Sequence, residues 1–378
     1  MKIGILTQPL HSNYGGVLQA FALQQVLKRL GHEVETLNRV YTRPPMRTYF
    51  FRFGSLLKTI YRRYIRGDKR YIVRSPFDIN YDVRRHGNLK FPSKHIAKSP
   101  NLYSSHELAQ YVKRKGFEAL VVGSDQVWRK AYSPCISDYF GGFLDNESHL
   151  TRIAYAASFG SDEWEGNEIE TSVCAQCAKK FRAVSVRENS GVILSRAIFG
   201  VDAIHVLDPT MLLDKKDYEA LVINHHTTPC QGDLNCYILD QNIAVNSMIR
   251  QCASSMGLQP FYTNETLTET NSYQPTIEEW IRGFMDAKFV ITDSFHACVF
   301  SILFQKPFIV WGNNRRGMAR FESLLSIFGL QDRMVTSLAD FETRKTMLLE
   351  PMDYRHTMKT LTKWRKKSMD FLISNLQE

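Results

Sequence analysis

The 378-residue sequence has no long hydrophobic run, which excludes an ordinary membrane-spanning helix. Its first nine residues, Met1 to Pro9, hold only a short apolar alternation and lack the apolar core of a signal peptide. Cysteine is scarce. The seven cysteines are odd in number and scattered, which argues against a disulfide framework and predicts reduced thiols in the cytoplasm. Cys174 and Cys177 form a C-x-x-C within a predicted helix, with no second pair at zinc-ribbon spacing, so no metal site is expected. There is no P-loop, no G-x-G-x-x-G, no internal repeat and no low-complexity tract, so no nucleotide cofactor is expected either.

Acidic residues are nearly missing from one window. Between Arg39 and Arg74 there are eleven Lys and Arg and one acid, Asp68. The chain holds 48 basic and 38 acidic residues, so 37 of each remain elsewhere and the net charge of +10 belongs to this window. Aromatic and aliphatic residues from Tyr49 to Ile65 alternate with the cations. Such a segment suits contact with anionic lipid head groups at the inner face of the cell membrane. It equally suits a surface loop with its aromatics packed inward and its arginines solvated. No RNA-binding signature accompanies it, and no nucleic-acid partner is expected.

What is present is a repeated rhythm of apolar strand, polar or glycine turn, and helix. Hydrophobic residues make up 44 % and charged residues 23 %, a globular composition that at this length predicts two domains. Strands are predicted over 3–6, 34–37, 119–122, 153–157, 183–186 and 203–206. A helix over 17–30 follows the pair Gly15-Gly16, which lets backbone approach a ligand closely or makes room for packing. The turns after these strands carry Asn13, Gly123, Ser124, Asp125, Trp128, Ser158, Arg187, Glu188 and the break Asp208-Pro-Thr. In an open α/β sheet such turns gather at one edge, where ligands bind. Trp128 offers an aromatic face for stacking. Arg187 can fork onto a carboxylate or phosphate, or pair with a neighbouring acid.

The second half repeats the pattern. A helix is predicted over 276–287 with Thr276 as N-cap and Glu279 in a capping box. Residues 289–312 then form the unit on which the chain is organised: strand 289–291, turn Thr292-Asp-Ser294, helix 295–304, Pro307 and strand 308–311. With Ser294 as N-cap, Phe295 and His296 fall in the first helical turn, where unpaired amides and the helix dipole attract anions. A histidine there can donate a proton to a bound group, or merely cap its helix. Arg315 and Arg316 follow beside the same edge. A long helix over 353–376 closes the chain.

The opening Gly4-Ile-Leu-Thr…Asn13-Tyr-Gly-Gly-Val-Leu-Gln-Ala, the turn Gly123-Ser-Asp-Gln-Val-Trp and the stretch Thr292-Asp-Ser-Phe-His-Ala together resemble the polysaccharide pyruvyl transferase family. Shorter matches lie at Ser158-Phe-Gly, Ser185-Val-Arg-Glu and Asp208-Pro-Thr. The resemblance implies a glycosyltransferase-B-like α/β fold of two Rossmann-like domains facing across a cleft. Domains are then expected at 1–211 (acceptor side, with the basic aromatic insertion at about 39–75) and 212–350 (donor side). A helix at 351–378 would cross back to the first. It implies transfer of pyruvyl from phosphoenolpyruvate, as co-substrate, to two hydroxyls of a sugar in a surface-polysaccharide precursor, free or lipid-linked, with release of phosphate. His296 would be the acid, Arg187 the anion clamp, and Asp125 or Glu188 the group that handles the sugar hydroxyl. Several family members carry an arginine two residues before the histidine, where this chain has Ser294. Donor contacts then fall to Arg187, the 294–296 helix terminus, and Arg315 or Arg316. A nucleotide-sugar glycosyltransferase and a non-catalytic carbohydrate-binding descendant of the same fold are the other readings.

Overall fold

The computed structural model describes residues 1–10, 13–41, 57, 60–65, 90–145, 149–264, 266–267, 272–312 and 317–377. Its strands are β1 Lys2–Leu6, β2 Glu33–Leu37, β3 Ala119–Val122, β4 Thr151–Ala157, β5 Ala183–Val186, β6 Ala203–His205, β7 Leu234–Tyr237, β8 Pro260–Phe261, β9 Thr266–Leu267, β10 Ser272–Tyr273, β11 Phe289–Thr292, β12 Phe308–Trp311 and β13 Met334–Val335. The α-helices are α1 Tyr14–Arg29, α2 Lys90–His95, α3 Ser105–Lys115, α4 Glu168–Ala178, α5 Asn189–Phe199, α6 Lys215–His225, α7 Ile243–Met256, α8 Ile277–Asp286, α9 Phe295–Leu303, α10 Met318–Phe328, α11 Leu338–Leu349 and α12 Arg355–Leu376.

Two parallel sheets organise these elements. The first has the order β2-β1-β3-β4-β5-β6 and the second the order β13-β12-β11-β7-β8. In each, the chain reverses its direction of travel across the sheet at one place, between β1 and β3 and between β7 and β11. Loops diverge there and leave a crevice at the carboxyl ends of the strands. Register aligns those ends. Leu6 pairs with both Leu37 and Val122, and Thr292 with Tyr237, so the turns leave each sheet at a common level.

Burial explains the layering. The strands are apolar on both faces, as parallel strands covered by helices must be. One core lies outside the first sheet against α3, α4 and α5, and another outside the second against α7 and α11. A third, larger core runs through the middle and takes residues from α1, α8, α9 and α12 together. Every residue of α9 is buried, which fits a helix with no polar face. α12 returns to the first sheet. Phe371 packs 6.2 Å from Tyr155 of β4, and Trp364 lies 5.0 Å from His205 of β6.

Local expectations stand with small corrections. The capping box at Thr276 and Glu279 forms as expected. α1 starts three residues earlier than periodicity suggests. Asn13 is its N-cap, with its side chain accepting from the Gly16 amide, so the glycine pair lies inside the first turn rather than before the helix. All seven cysteines are free, and burial pushes the Cys174 thiol up to about 12, out of the reactive range. Most of the basic window, and with it the expected lipid contact, lies outside the described residues. One of its cations is internal: Arg39 is buried and donates to Asp138 at 2.8 Å. Among the described residues no helix is long and apolar enough to cross a membrane.

His205 carries a pH dependence. Its Nε2–H donates to the Arg187 carbonyl at 2.9 Å. Burial holds the imidazole down to about 4, assisted by Lys367 and opposed by that hydrogen bond. The unfolded chain takes up this proton near pH 6.5 and the folded one does not, so the stability contribution is complete above 6.5 and is lost as pH falls toward 4. The loss is about 3 kcal/mol. The thermal midpoint is expected to fall across that window, and His205→Gln, which keeps an N–H donor, is expected to flatten the fall. An identical pH profile for the variant would refute the assignment.

Candidate functional site

The site forms where the two crevices face each other. On the first domain, Gly123 has φ 119°, and a Cβ there would meet the Tyr155 carbonyl at 2.2 Å, so only glycine permits the turn. The turn is tied to the one after β1: Thr7 donates to Ser124 O at 2.9 Å and Gln8 to Gln126 O at 2.7 Å. Asp125 follows, in the left-handed region at φ 71°. Arg187 stands at the end of β5, and Asp208 lies beyond the end of β6.

These three side chains form one buried cluster. Arg187 Nη1 donates to Asp208 Oδ2 at 2.7 Å and Nη2 to Asp125 Oδ1 at 3.2 Å. Asp208 Oδ1 accepts from the Thr210 amide at 3.0 Å and the Thr210 hydroxyl at 2.7 Å. Burial alone would raise both carboxyls. For Asp208 it is outweighed by His296, Arg187 and Thr210, which hold the group well below the usual carboxylate range. For Asp125 it is outweighed by Arg187, His296 and Arg320. Burial likewise works against the Arg187 cation, yet Asp125, Asp208 and Glu188 raise its pKa.

The second domain contributes α9 and α10. Ser294 caps α9, and Asp293 accepts from the Leu239 and Asp240 amides at 2.7 and 2.8 Å, locking the turns after β7 and β11 together. His296 is 8 % exposed, and its Nε2 lies 3.5 Å from Asp208 Oδ2, an ion-pair distance too long for a good hydrogen bond. Its Nδ1 lies against the first turn of α1, where a Cβ on Gly15 would sit 1.9 Å away. The Phe295 ring lies under two guanidiniums, Arg187 at 4.5 Å and Arg320 at 5.8 Å. Burial, and then repulsion from Arg187, pull Arg320 down to about 10.

A cleft of about 500 Å³ opens over this cluster, lined by Asn13, Gly15, Asp125, Ser294, Phe295, His296 and Arg320 at its charged end. Gln241, Asn264 and Gln274 line the rest, with Tyr14, Tyr237 and Trp280. Tyr14 of α1 stacks on Trp280 of α8 at 5.4 Å and donates to Pro275 O at 2.6 Å, closing one end. At another interdomain contact Gly160 meets Gly317, where a Cβ would lie 2.0 Å from the Gly160 carbonyl.

Several expected residues have other places. Trp128 was expected to stack on a ligand, but it is buried in the outer core, stacked on Phe140 at 4.8 Å. Arg187, expected to fork onto an anion, does not line the cleft; two carboxylates occupy its fork, and it organises their positions. Ser124, Ser158 and Glu188 are buried beneath the site, and Glu188 accepts from the Phe159 amide at 2.7 Å. Gly16 and Gly123 shape the turns, and a Cβ on Gly16 would lie 3.3 Å from Asp125. Arg315 and Arg316 lie outside the described residues. Arg320 was missed, and Asp208 was placed at the ligand edge only as part of a turn, with no role assigned. The available signals were an arginine in the first turn of an apolar helix and an Asp-Pro-Thr closing a strand. Among the described residues no group of three or more His, Cys, Asp or Glu is arranged to hold a metal ion.

Two facing parallel-sheet domains, a cleft between their crevices and a returning C-terminal helix define the glycosyltransferase-B class of fold. Solved structures agree. UDP-GlcNAc 2-epimerase from Neisseria meningitidis, bound to UDP-GlcNAc, is 9 % identical over 100 % of this chain and 99 % of that one, with a TM-score of 0.54. Sucrose-phosphate synthase from Thermosynechococcus elongatus is 11 % identical over 100 % and 98 %, with a TM-score of 0.53. At such identity the likeness is one of fold. No curated protein matches the chain significantly. The sequence profile of the polysaccharide pyruvyl transferase family matches residues 13–315, and the chain belongs to that family.

Two outcomes test the geometry. Gly15→Ala is expected to displace the His296 ring and lower activity at least about tenfold, with the fold retained by circular dichroism. Arg187→Met leaves two buried carboxylates uncompensated and is expected to cost about 3–5 kcal/mol in urea unfolding. A stability loss within error of zero would remove the organising role.

Proposed function

We propose that this chain, by family membership a transferase that modifies polysaccharides, transfers pyruvyl from phosphoenolpyruvate to two hydroxyls of one sugar in a surface-polysaccharide precursor, forming a ketal and releasing phosphate. The observation that carries this reading is the meeting of two helix N-termini, α1 and α9, with Arg320 and His296 in one cleft. Two helix N-termini with their dipoles and a guanidinium suit a small, highly charged anion bearing phosphate and carboxylate.

The chemistry follows from where charge develops. Proton delivery to C3 of the enol phosphate creates a methyl group and an electron-poor C2. One sugar hydroxyl adds at C2, the second displaces phosphate, and the remaining proton leaves with the phosphate. Donor and diol thereby become ketal and phosphate with no redox change. His296 supplies the proton. Asp208 faces its Nε2, which leaves Nδ1, beside Gly15, for the substrate. Arg320 and the helix termini neutralise the leaving group. Asp125, held ionised, accepts a hydrogen bond from the attacking hydroxyl. Gln241, Asn264 and Gln274 offer amides to the other hydroxyls of the acceptor.

Phosphoenolpyruvate at saturating concentration is expected to raise the unfolding midpoint by several degrees, and Arg320→Ala to abolish the rise. A rise with UDP and none with phosphoenolpyruvate would instead favour a nucleotide-sugar donor. His296→Ala is expected to lower phosphate release from phosphoenolpyruvate by about 10²–10⁴. Unchanged turnover in the folded variant would remove the acid.

A further inference from the structure

The polar contacts that α12 makes with the first domain gather on one turn. Ser368, fully buried, accepts from the Leu207 amide at 3.0 Å, the residue immediately before Asp208. Arg365, one helical turn earlier on the same face, donates through Nε to Met211 O at 2.5 Å and through Nη2 to Leu213 O at 2.6 Å. Its Nη1 pairs with Asp214 at 2.6 Å. The segment 207–214 is therefore gripped on both sides of Asp208 by one helix. A third residue of that helix, Trp364, packs on His205, whose Nε2–H in turn holds the Arg187 carbonyl.

Apolar docking does not require this placement. Phe371, Leu372 and Leu376 already bury the end of α12 in the central core. The polar grips fall instead on the segment whose carboxylate reaches His296 from the other domain. We infer that Ser368 and Arg365 are positioning residues of the reaction: the C-terminal helix fixes Asp208 and, through it, the orientation of the His296 imidazole. This rests on the assignment of His296 as the acid, and a shift of about 1 Å in such a group is enough to slow proton transfer strongly.

The test uses the full chain with Ser368→Ala and Arg365→Lys, and Lys366→Ala as control, since Lys366 is exposed and pairs with Asp370 on the solvent side. The expected result is a kcat for phosphate release at least about tenfold lower, with KM for phosphoenolpyruvate within about twofold and no change in the control. The second readout needs no turnover: the imidazole N–H resonance of His296, assigned by its loss in His296→Ala. It is expected to move in both variants in the direction that Asp208→Asn moves it. A resonance unmoved in both variants overturns the inference, whatever kcat does. A moved resonance in a protein that does not turn over phosphoenolpyruvate leaves the inference standing and defeats the donor assignment instead. Arg365→Lys, which retains the charge on a residue that is only partly buried, keeps the question answerable if Ser368→Ala does not fold.

Discussion

The site depends on the Asp208 carboxylate shared between Arg187 of its own domain and His296 of the other. A buried carboxylate is costly unless paired, and this one is paired on both oxygens. It faces a buried histidine of the opposite domain at 3.5 Å, so the two halves meet at this carboxylate as well as through apolar packing. Removing any one member leaves a neighbour unpaired in a medium of low polarity, where each charge counts for more. Arg187 holds two carboxylates at fixed positions beneath the cleft, and Arg320 is among the residues that line it.

Much of this was legible beforehand. Parallel strands announce themselves as short apolar runs, and the turns after them come in the order that a switch-point fold requires. His296 was found because Ser294 is a recognisable cap two residues earlier. What could not be read was partnership. Arg187 and Asp208 are 21 residues apart, and only the adjacency of β5 and β6 brings them into contact. The same limit misassigned Trp128. A tryptophan after a glycine turn has the same sequence signature whether it faces a ligand or a layer of Phe140, Phe159 and Phe199. Arg320 was overlooked because a single arginine in the first turn of an apolar helix carries no charge-density signal; only the phase of that helix shows that it points inward.

Phe295 shows how a neutral residue takes part in an ionic site. Its ring lies against the Arg187 guanidinium and near that of Arg320. The quadrupole favours both cations at modest energy, roughly 0.5–2 kcal/mol each, and it keeps water from the face of Arg187. An apolar ring can thus share in an ionic cluster by stabilising its cations.

The abutment of Gly160 and Gly317 has a further consequence. Neither residue has a side chain, so backbone of one domain lies on backbone of the other with nothing compressible between them. The separation of the two domains at that contact is consequently set by bond lengths and van der Waals radii, quantities that temperature and salt barely alter. The two bodies meet there as a machined shoulder meets its seat.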